Sequence, residues 1–326
     1  MANVLIIKDA ASPKFDETLE KELRGRFKDG MKVAVKLHMG ELKGMFSPDL
    51  AKRSVAVLKR LGCKPFLFDV VVMYHGPRHF KAGYKAVAAV HGFSEKKMGC
   101  PIIISNEYVT IKTDHMDVEV AKELSESDAM LVLSHVKGHP CAAFGGAIKN
   151  LAMGCASPKS KKEQHSLGLP SVNENCIGCG ICENICPFSA IKVKDGKAIV
   201  NPRACAGCDT CVLNCPHKAL DSKVMFDTLL AEAAWASIEA LKGKLVYYVN
   251  DVRNITKNCD CFPNPGKAIA KDVGVLLSKG MVAIDNASVS MINKQEGKEI
   301  FKETHHHDPF LSIKEAERLG LGSTKK

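Results

Sequence analysis

Apolar residues along this 326-residue chain follow two rhythms. Short runs that are apolar almost throughout occur at 3–8 (NVLIIK), 32–38 (KVAVKLH), 64–71 (KPFLFDVV), 101–105 (PIIIS) and 128–136 (DAMLVLSHV). Similar runs return at 244–252 (KLVYYVNDV), 274–278 (GVLLS) and 281–285 (MVAID). Such runs suit strands covered on both faces of a mainly parallel sheet. Between them the spacing becomes helical, as in SPDLAKRSVAVLKRLG (47–62), where Ser47 is an N-cap, Pro48 the first helical residue and Gly62 the stop. FDTLLAEAAWASIEALKG (226–243) and GGAIKNLAMG (145–154) also read as helices. The pattern predicts an α/β core in two parts, residues 1–171 and 220–326, with an α+β insert at 172–219.

The insert reads differently. CIGCGICENICP (176–187) and CAGCDTCVLNCP (205–216) are both C-x2-C-x2-C-x3-C-P, the second starting 29 residues after the first. Thiolates packed this densely suit 4Fe-4S cubanes, and in this motif the fourth cysteine of each run serves the other cluster. One cluster is therefore expected on Cys176, Cys179, Cys182 and Cys215, and a second on Cys205, Cys208, Cys211 and Cys186. Structural zinc sites instead take two separated C-x2-C pairs, without a proline after each run. Residues 172–219 resemble bacterial two-cluster ferredoxins, which implies electron transfer.

Fourteen cysteines in a chain whose first residues lack a charged leader and a long apolar stretch point to metal ligands and redox thiols in the cytoplasm. No apolar run is long enough for a bilayer. The net charge of +10 is scattered, which favours an anionic small molecule or an acidic redox partner protein. Nucleic acid is not expected, because no basic stripe interleaved with aromatics is present.

The segment 134–165 concentrates chemistry: His135, His139, Cys141, Lys149, Cys155 and His165. Gly145 and Gly146 precede the short helix, where free amides and the helix dipole favour a phosphate or carboxylate, with Lys159, Lys161 and Lys162 adding charge. Glycines here serve either such an anion or close helix–sheet packing. A flavin mononucleotide is one phosphate-bearing candidate. Downstream, NCDCFPNP (258–265) carries Cys259 and Cys261, whose side chains share one side of an extended segment. Pro263 and Pro265 argue against a central strand there. Asp251 and Asp260 are near enough in sequence to orient a histidine or accept a proton. With Cys155 as a third thiolate, and Cys141 or a histidine as a fourth donor, the pair would hold a third 4Fe-4S cluster or another metal; the alternative is a redox-active or incidental dithiol. His135 is expected to satisfy backbone groups, Cys63 and Cys100 to be small buried hydrophobes, and HHHD (305–308) to be a solvated loop.

The order of a His/Gly-rich segment, the cysteine block, NDVRNITKNCDC, IDNAS and AERLGLGS resembles the domain-of-unknown-function family 362 along nearly the whole chain. That likeness implies an α/β fold with iron–sulfur clusters and no agreed reaction. The spacing His139-x9-Lys149-x15-His165 is also similar, in part, to the lactate racemase family. There a lysine carries a nickel-pincer cofactor derived from nicotinate mononucleotide, one histidine binds nickel and others move protons. The likeness implies Lys149 as cofactor anchor, His165 as metal ligand and His139 as acid/base. The expected function is an iron–sulfur oxidoreductase of anaerobic metabolism. An electron carrier or assembly factor docking to a larger enzyme, and a racemase-like metal-pincer enzyme or flavin mononucleotide protein, are the alternatives.

Overall fold

Five apolar runs lie side by side as parallel strands in the computed structural model, which describes residues 3–41, 44–262 and 264–324. The sheet strands are β1 (Val4–Ile7), β2 (Lys32–Lys36), β3 (Lys64–Val70), β4 (Ile102–Ser105), β5 (Ala129–His135), β6 (Leu245–Val252) and β7 (Gly274–Ser278). Their order is β1-β7-β6-β5-β2-β3-β4, parallel from β6 to β4 and antiparallel across β1-β7-β6. Val33, Ala34 and Val35 of β2 and Leu131, Val132 and Leu133 of β5 are buried, as strands covered by helices on both faces require.

Pairing of β5 with β6 runs from Ala129↔Leu245 to His135↔Asp251. One strand precedes the cysteine block and the other follows it, so both flanks build a single sheet. The block itself projects from a short antiparallel stem in which 170–172 pairs with 220–222, placing incoming and outgoing chain side by side. Among the described residues, no helix is long and apolar enough to cross a membrane.

The helices that matter for the site are α1 (Lys14–Leu23), α2 (Pro48–Arg60), α3 (Ala147–Gly154), α4 (Pro158–Leu167), α5 (Phe226–Glu239), α6 (Met281–Glu296) and α7 (Ile300–His305). The Ser47 side chain accepts the Leu50 amide at 3.3 Å and Pro48 opens α2, as its sequence predicts. Two expectations fail. Residues 281–285 form the start of α6: Met281, Ile284, Ser288 and Ile292 are buried at helical spacing, a period that a five-residue window cannot reveal. Residues 305–308 are not a solvated loop, because the His305 and His307 side chains turn inward at the end of α7, bonding Lys257 O at 2.9 Å and Asp227 Oδ2 at 2.7 Å.

Candidate functional site

Parallel α/β sheets bind ligands beyond the carboxyl ends of their strands. Here a cavity of about 200 Å³ opens beyond β2, β3 and β5, walled by α3 and α4 and closed by the segment 259–261. Its lining separates into two poles.

At the first pole, charged residues emerge from otherwise apolar strands. Lys36 Nζ of β2 lies 3.0 Å from Asp69 Oδ1 of β3, both side chains almost wholly buried. Lys36 also donates to Asn150 Oδ1 at 2.8 Å, while Asn150 Nδ2 donates to Leu133 O and Ser134 Oγ, both at 3.0 Å, tying α3 to the strand ends. Asp69 accepts a hydrogen bond from Tyr84 Oη. Burial alone would raise the Asp69 pKa, but the charges of Lys36 and Arg78, with the Tyr84 hydrogen bond, outweigh it and hold the carboxyl below its usual range. Arg78 pairs with Glu41, donates to Tyr84 Oη at 2.9 Å and stacks over that ring at 4.3 Å. Lys161 of α4 reaches in from the opposite wall and donates to Val71 O at 2.7 Å; burial pulls its pKa down to about 7. Burial, reinforced by Arg78, likewise drops His38 to about 3 and keeps it neutral.

The second pole gathers His139, Lys149, His165, Cys259 and Cys261. One ligand atom each from His139, Cys259 and Cys261 lie within 4.8 Å of one another, a separation that fits a single metal ion. Cys259 and Cys261 are disulfide-bonded to each other. Asp260 between them points the other way, clamped by Lys137 Nζ at 2.6 Å and His135 Nδ1 at 3.0 Å. His135 also bonds Met45 O at 2.8 Å and Arg253 O at 2.9 Å, so it satisfies backbone groups and orients Asp260 as well. Asp251 is instead held by Arg253, 2.6 Å away. Lys149 Nζ approaches Cys259 Sγ at 3.9 Å, and burial lowers its pKa to about 8. His139 Nδ1 accepts the Cys141 amide at 3.1 Å; burial, with Lys149 adding to it, drives its pKa well down.

Cys155 is not part of this grouping. It is fully buried behind Gly154, among Lys36, Asp69 and Ser237, where burial raises its pKa to about 12. The third donor grouped with the C-x-C pair is His139. Cys141 is buried, which raises its pKa well above the ordinary thiol value, and it does not line the cavity. Cys63 and Cys100 are buried beside the sheet, as expected. Pro263 lies outside the described residues.

The helix N-terminus expected to receive an outside anion holds one of the chain's own. Asp285 of α6 accepts the Ala147 amide at 2.8 Å, the Ile148 amide at 2.9 Å and Asn250 Nδ2 at 2.8 Å. A Cβ on Gly146 would strike Asp285 Oδ1 and come within 2.8 Å of Phe144, so this glycine serves close packing. Gly145 faces the cavity beside Lys149, with 3.1 Å from its would-be Cβ to Lys149 Cδ. Of the three nearby lysines only Lys161 enters the cavity; Lys159 pairs with Glu119 on the surface and Lys162 is exposed.

The cavity shares a wall with the cysteine block. His165 stacks on Phe226 at 4.9 Å, and its Nδ1 bonds Ala206 O, inside the second cysteine run, at 2.8 Å. Within the block, Cys176, Cys179, Cys182 and Cys215 surround a small second cavity. Burial raises the Cys211 pKa, and the neighbouring Cys208, Cys205 and Cys186 thiols push it further in the same direction. Backbone amides of Ala198, Ala190, Gly207 and Ala219 donate to Cys176, Cys186, Cys205 and Cys215 sulfurs at 3.3, 3.3, 3.4 and 3.3 Å. Among the described residues, no three of these eight sulfurs meet the spacing of a single ion.

Lys36, Asp69 and Arg78 were not singled out from sequence. For Lys36 and Asp69 the signal is a lone charge at the end of an apolar run, as in KVAVK and FLFDV; Arg78, in HGPRHF, carries no such signal.

A sequence profile described as Domain of unknown function (DUF362) matches residues 33–290. No curated protein matches the sequence. Among solved structures, a Thermotoga maritima protein determined by structural genomics is similar at 12% identity with a TM-score of 0.45, covering 76% of this chain and 52% of that one. The lactate racemase apoprotein from Thermoanaerobacterium thermosaccharolyticum is similar at 12% identity with a TM-score of 0.38, covering 73% and 49%. The chain spans about half the length of each.

Proposed function

The chain belongs to the domain-of-unknown-function family 362, and we propose that it is an iron–sulfur oxidoreductase whose cysteine block exchanges electrons with a metal-binding cavity in the α/β core. The observation that carries this reading is the His165–Ala206 hydrogen bond, which joins a cavity-lining side chain to the backbone between Cys205 and Cys208. The block's residues fit two 4Fe-4S clusters: four thiols around one small cavity, four more within mutual influence, and amide donors on the sulfurs. When bound, such clusters supply one-electron transfer at low potential. The chain's own part is to set the sulfurs, shield them and hold His165 against the block.

Substrate would enter between the poles. Arg78 and Lys161 favour a small anion, and Asp69, held ionised, keeps Lys36 and Tyr84 in place. A redox partner protein would meet the first cysteine run, where Cys179, Ile177 and Ile181 are exposed. Cytoplasmic residence in an anaerobic cell follows from oxygen-sensitive clusters. A pure carrier or assembly factor has no need of the charged cavity. A racemase-like reading is favoured by one observation, that His139, Lys149 and His165 share the cavity.

Metal, acid-labile sulfide and flavin content of anaerobically purified protein tests the proposal. It requires about eight irons and eight sulfides per chain. Zinc without sulfide would reject it, stoichiometric nickel would favour the racemase reading, and a bound yellow chromophore the flavin reading.

A further inference from the structure

The two sulfurs at the second pole are bonded to each other and also positioned as ligands beside His139. We infer that the Cys259–Cys261 disulfide is a reductive gate on a one-ion metal site made by Cys259, Cys261 and His139. A thiolate is the metal ligand, and a disulfide sulfur is a poor one, so the bonded pair closes the site. The histidine is closed as well: its Nδ1 lone pair is engaged by the Cys141 amide. Opening the pair gives a nitrogen and two thiolates with an open position, the donor set of catalytic zinc and other soft divalent metals.

The loop is built to survive the change. Asp260 anchors it through Lys137 and His135, contacts that do not involve the sulfurs, so both stay beside His139 when their bond breaks. Lys149, whose Nζ stands 3.9 Å from Cys259 Sγ, is placed to stabilise the charge that appears there. The step balances simply. The S–S bond takes up two electrons and becomes two thiolates; a divalent ion then forms two metal–sulfur bonds and displaces the Cys141 amide from the ring or waits for the ring to turn. The reductant is a low-potential one-electron donor, used twice. On the functional reading above that donor resides in residues 172–219, and only this source of electrons rests on that reading.

The test uses full-length, iron-loaded protein and zinc ion alone as probe. Zinc per chain is measured after gel filtration, with iron and sulfide checked for constancy and free thiols counted. Three states are compared: oxidised, reduced with a water-soluble phosphine that bypasses the block, and reduced with a low-potential viologen. The oxidised form should take up no stoichiometric zinc, and either reduced form about one per chain, with two more titratable thiols. Cys261→Ser should abolish both the uptake and its redox dependence, and His139→Gln should weaken it about tenfold or more. Retained iron and an unchanged circular dichroism spectrum show that these variants fold. Equal zinc uptake in oxidised and reduced protein, or full uptake by Cys261→Ser, overturns the gate. Uptake after phosphine but not after viologen upholds the gate and refutes the electron route through the block.

Discussion

Asp260→Asn isolates the clamp that presents the two cysteines. Asp260 is buried, and its carboxylate lies 2.6 Å from the buried Lys137 ammonium and 3.0 Å from His135 Nδ1. At an effective dielectric constant near 20 the Lys137 attraction alone is about 6 kcal/mol before desolvation is subtracted. Asparagine keeps the size and removes the charge, so a buried ammonium is left without its counter-ion. Such a loss costs about 3–5 kcal/mol. Urea unfolding of wild type and variant, with the cysteine block in the same state, should show that difference as a midpoint lower by about 1 M or more. Adding Lys137→Met should restore a large part of the loss, because the stranded charge is then gone. Burial would raise the Asp260 pKa, but His135 and Lys137 reverse this and depress it strongly, so its contribution is present above the ordinary carboxylate range and lost as pH falls through the folded value. The gap between wild type and variant should therefore narrow in strong acid. Loss below about 1 kcal/mol at neutral pH, or no recovery in the double variant, would refute the clamp.

Cys179→Ala should remove about half of the iron and leave the other set of four thiolates loaded, measured by iron and sulfide analysis. Gly146→Ala should destabilise by about 1–3 kcal/mol, because the added methyl meets Asp285 and Phe144 in a closed space; an unchanged thermal midpoint would mean the helix can shift. Burial raises the Asp285 pKa to about 6, above its unfolded value near 3.8, so the folded state binds the extra proton between these values and stability should fall as pH rises through that window. Asp285→Asn should flatten that part of the stability–pH curve, and an unaltered slope would locate the titration elsewhere. Since Lys161 carries its proton only below about pH 7, sulfate or oxalate binding to the cavity, followed by calorimetry, should weaken above that pH and lose the dependence in Lys161→Met.

How much was legible varies with the range of the interaction. The α2 cap at Ser47, the buried strands and the two cysteine runs depend on neighbours a few residues away, and periodicity and spacing report them directly. Residues 281–285 misled because an apolar run of that length suits a strand or one face of a helix equally well. At Gly145 and Gly146 the local pattern correctly marked a helix start that draws an anion. It could not reveal that the anion is Asp285, brought from 139 positions beyond Gly146 by α6.

The amino-acid sequence by itself determined the α/β alternation, the insertion of a cysteine block within one sheet-forming chain, and the clustering of reactive residues at 134–165 and 259–261. It also placed His139, Lys149 and His165 as a group of interest, and the cavity does unite them. Only the tertiary structure decided the partners. Strand order β6-β5-β2-β3 sets Lys36, Asp69 and His135 at one edge, and the fold of 255–262 carries Cys259 and Cys261 to His139 while leaving Cys155 outside that group. The reason is that ligand and charge pairing depends on distances through space between residues about 30 to 140 positions apart, set by which strands become neighbours; a linear pattern holds the periods of single elements and no record of that choice.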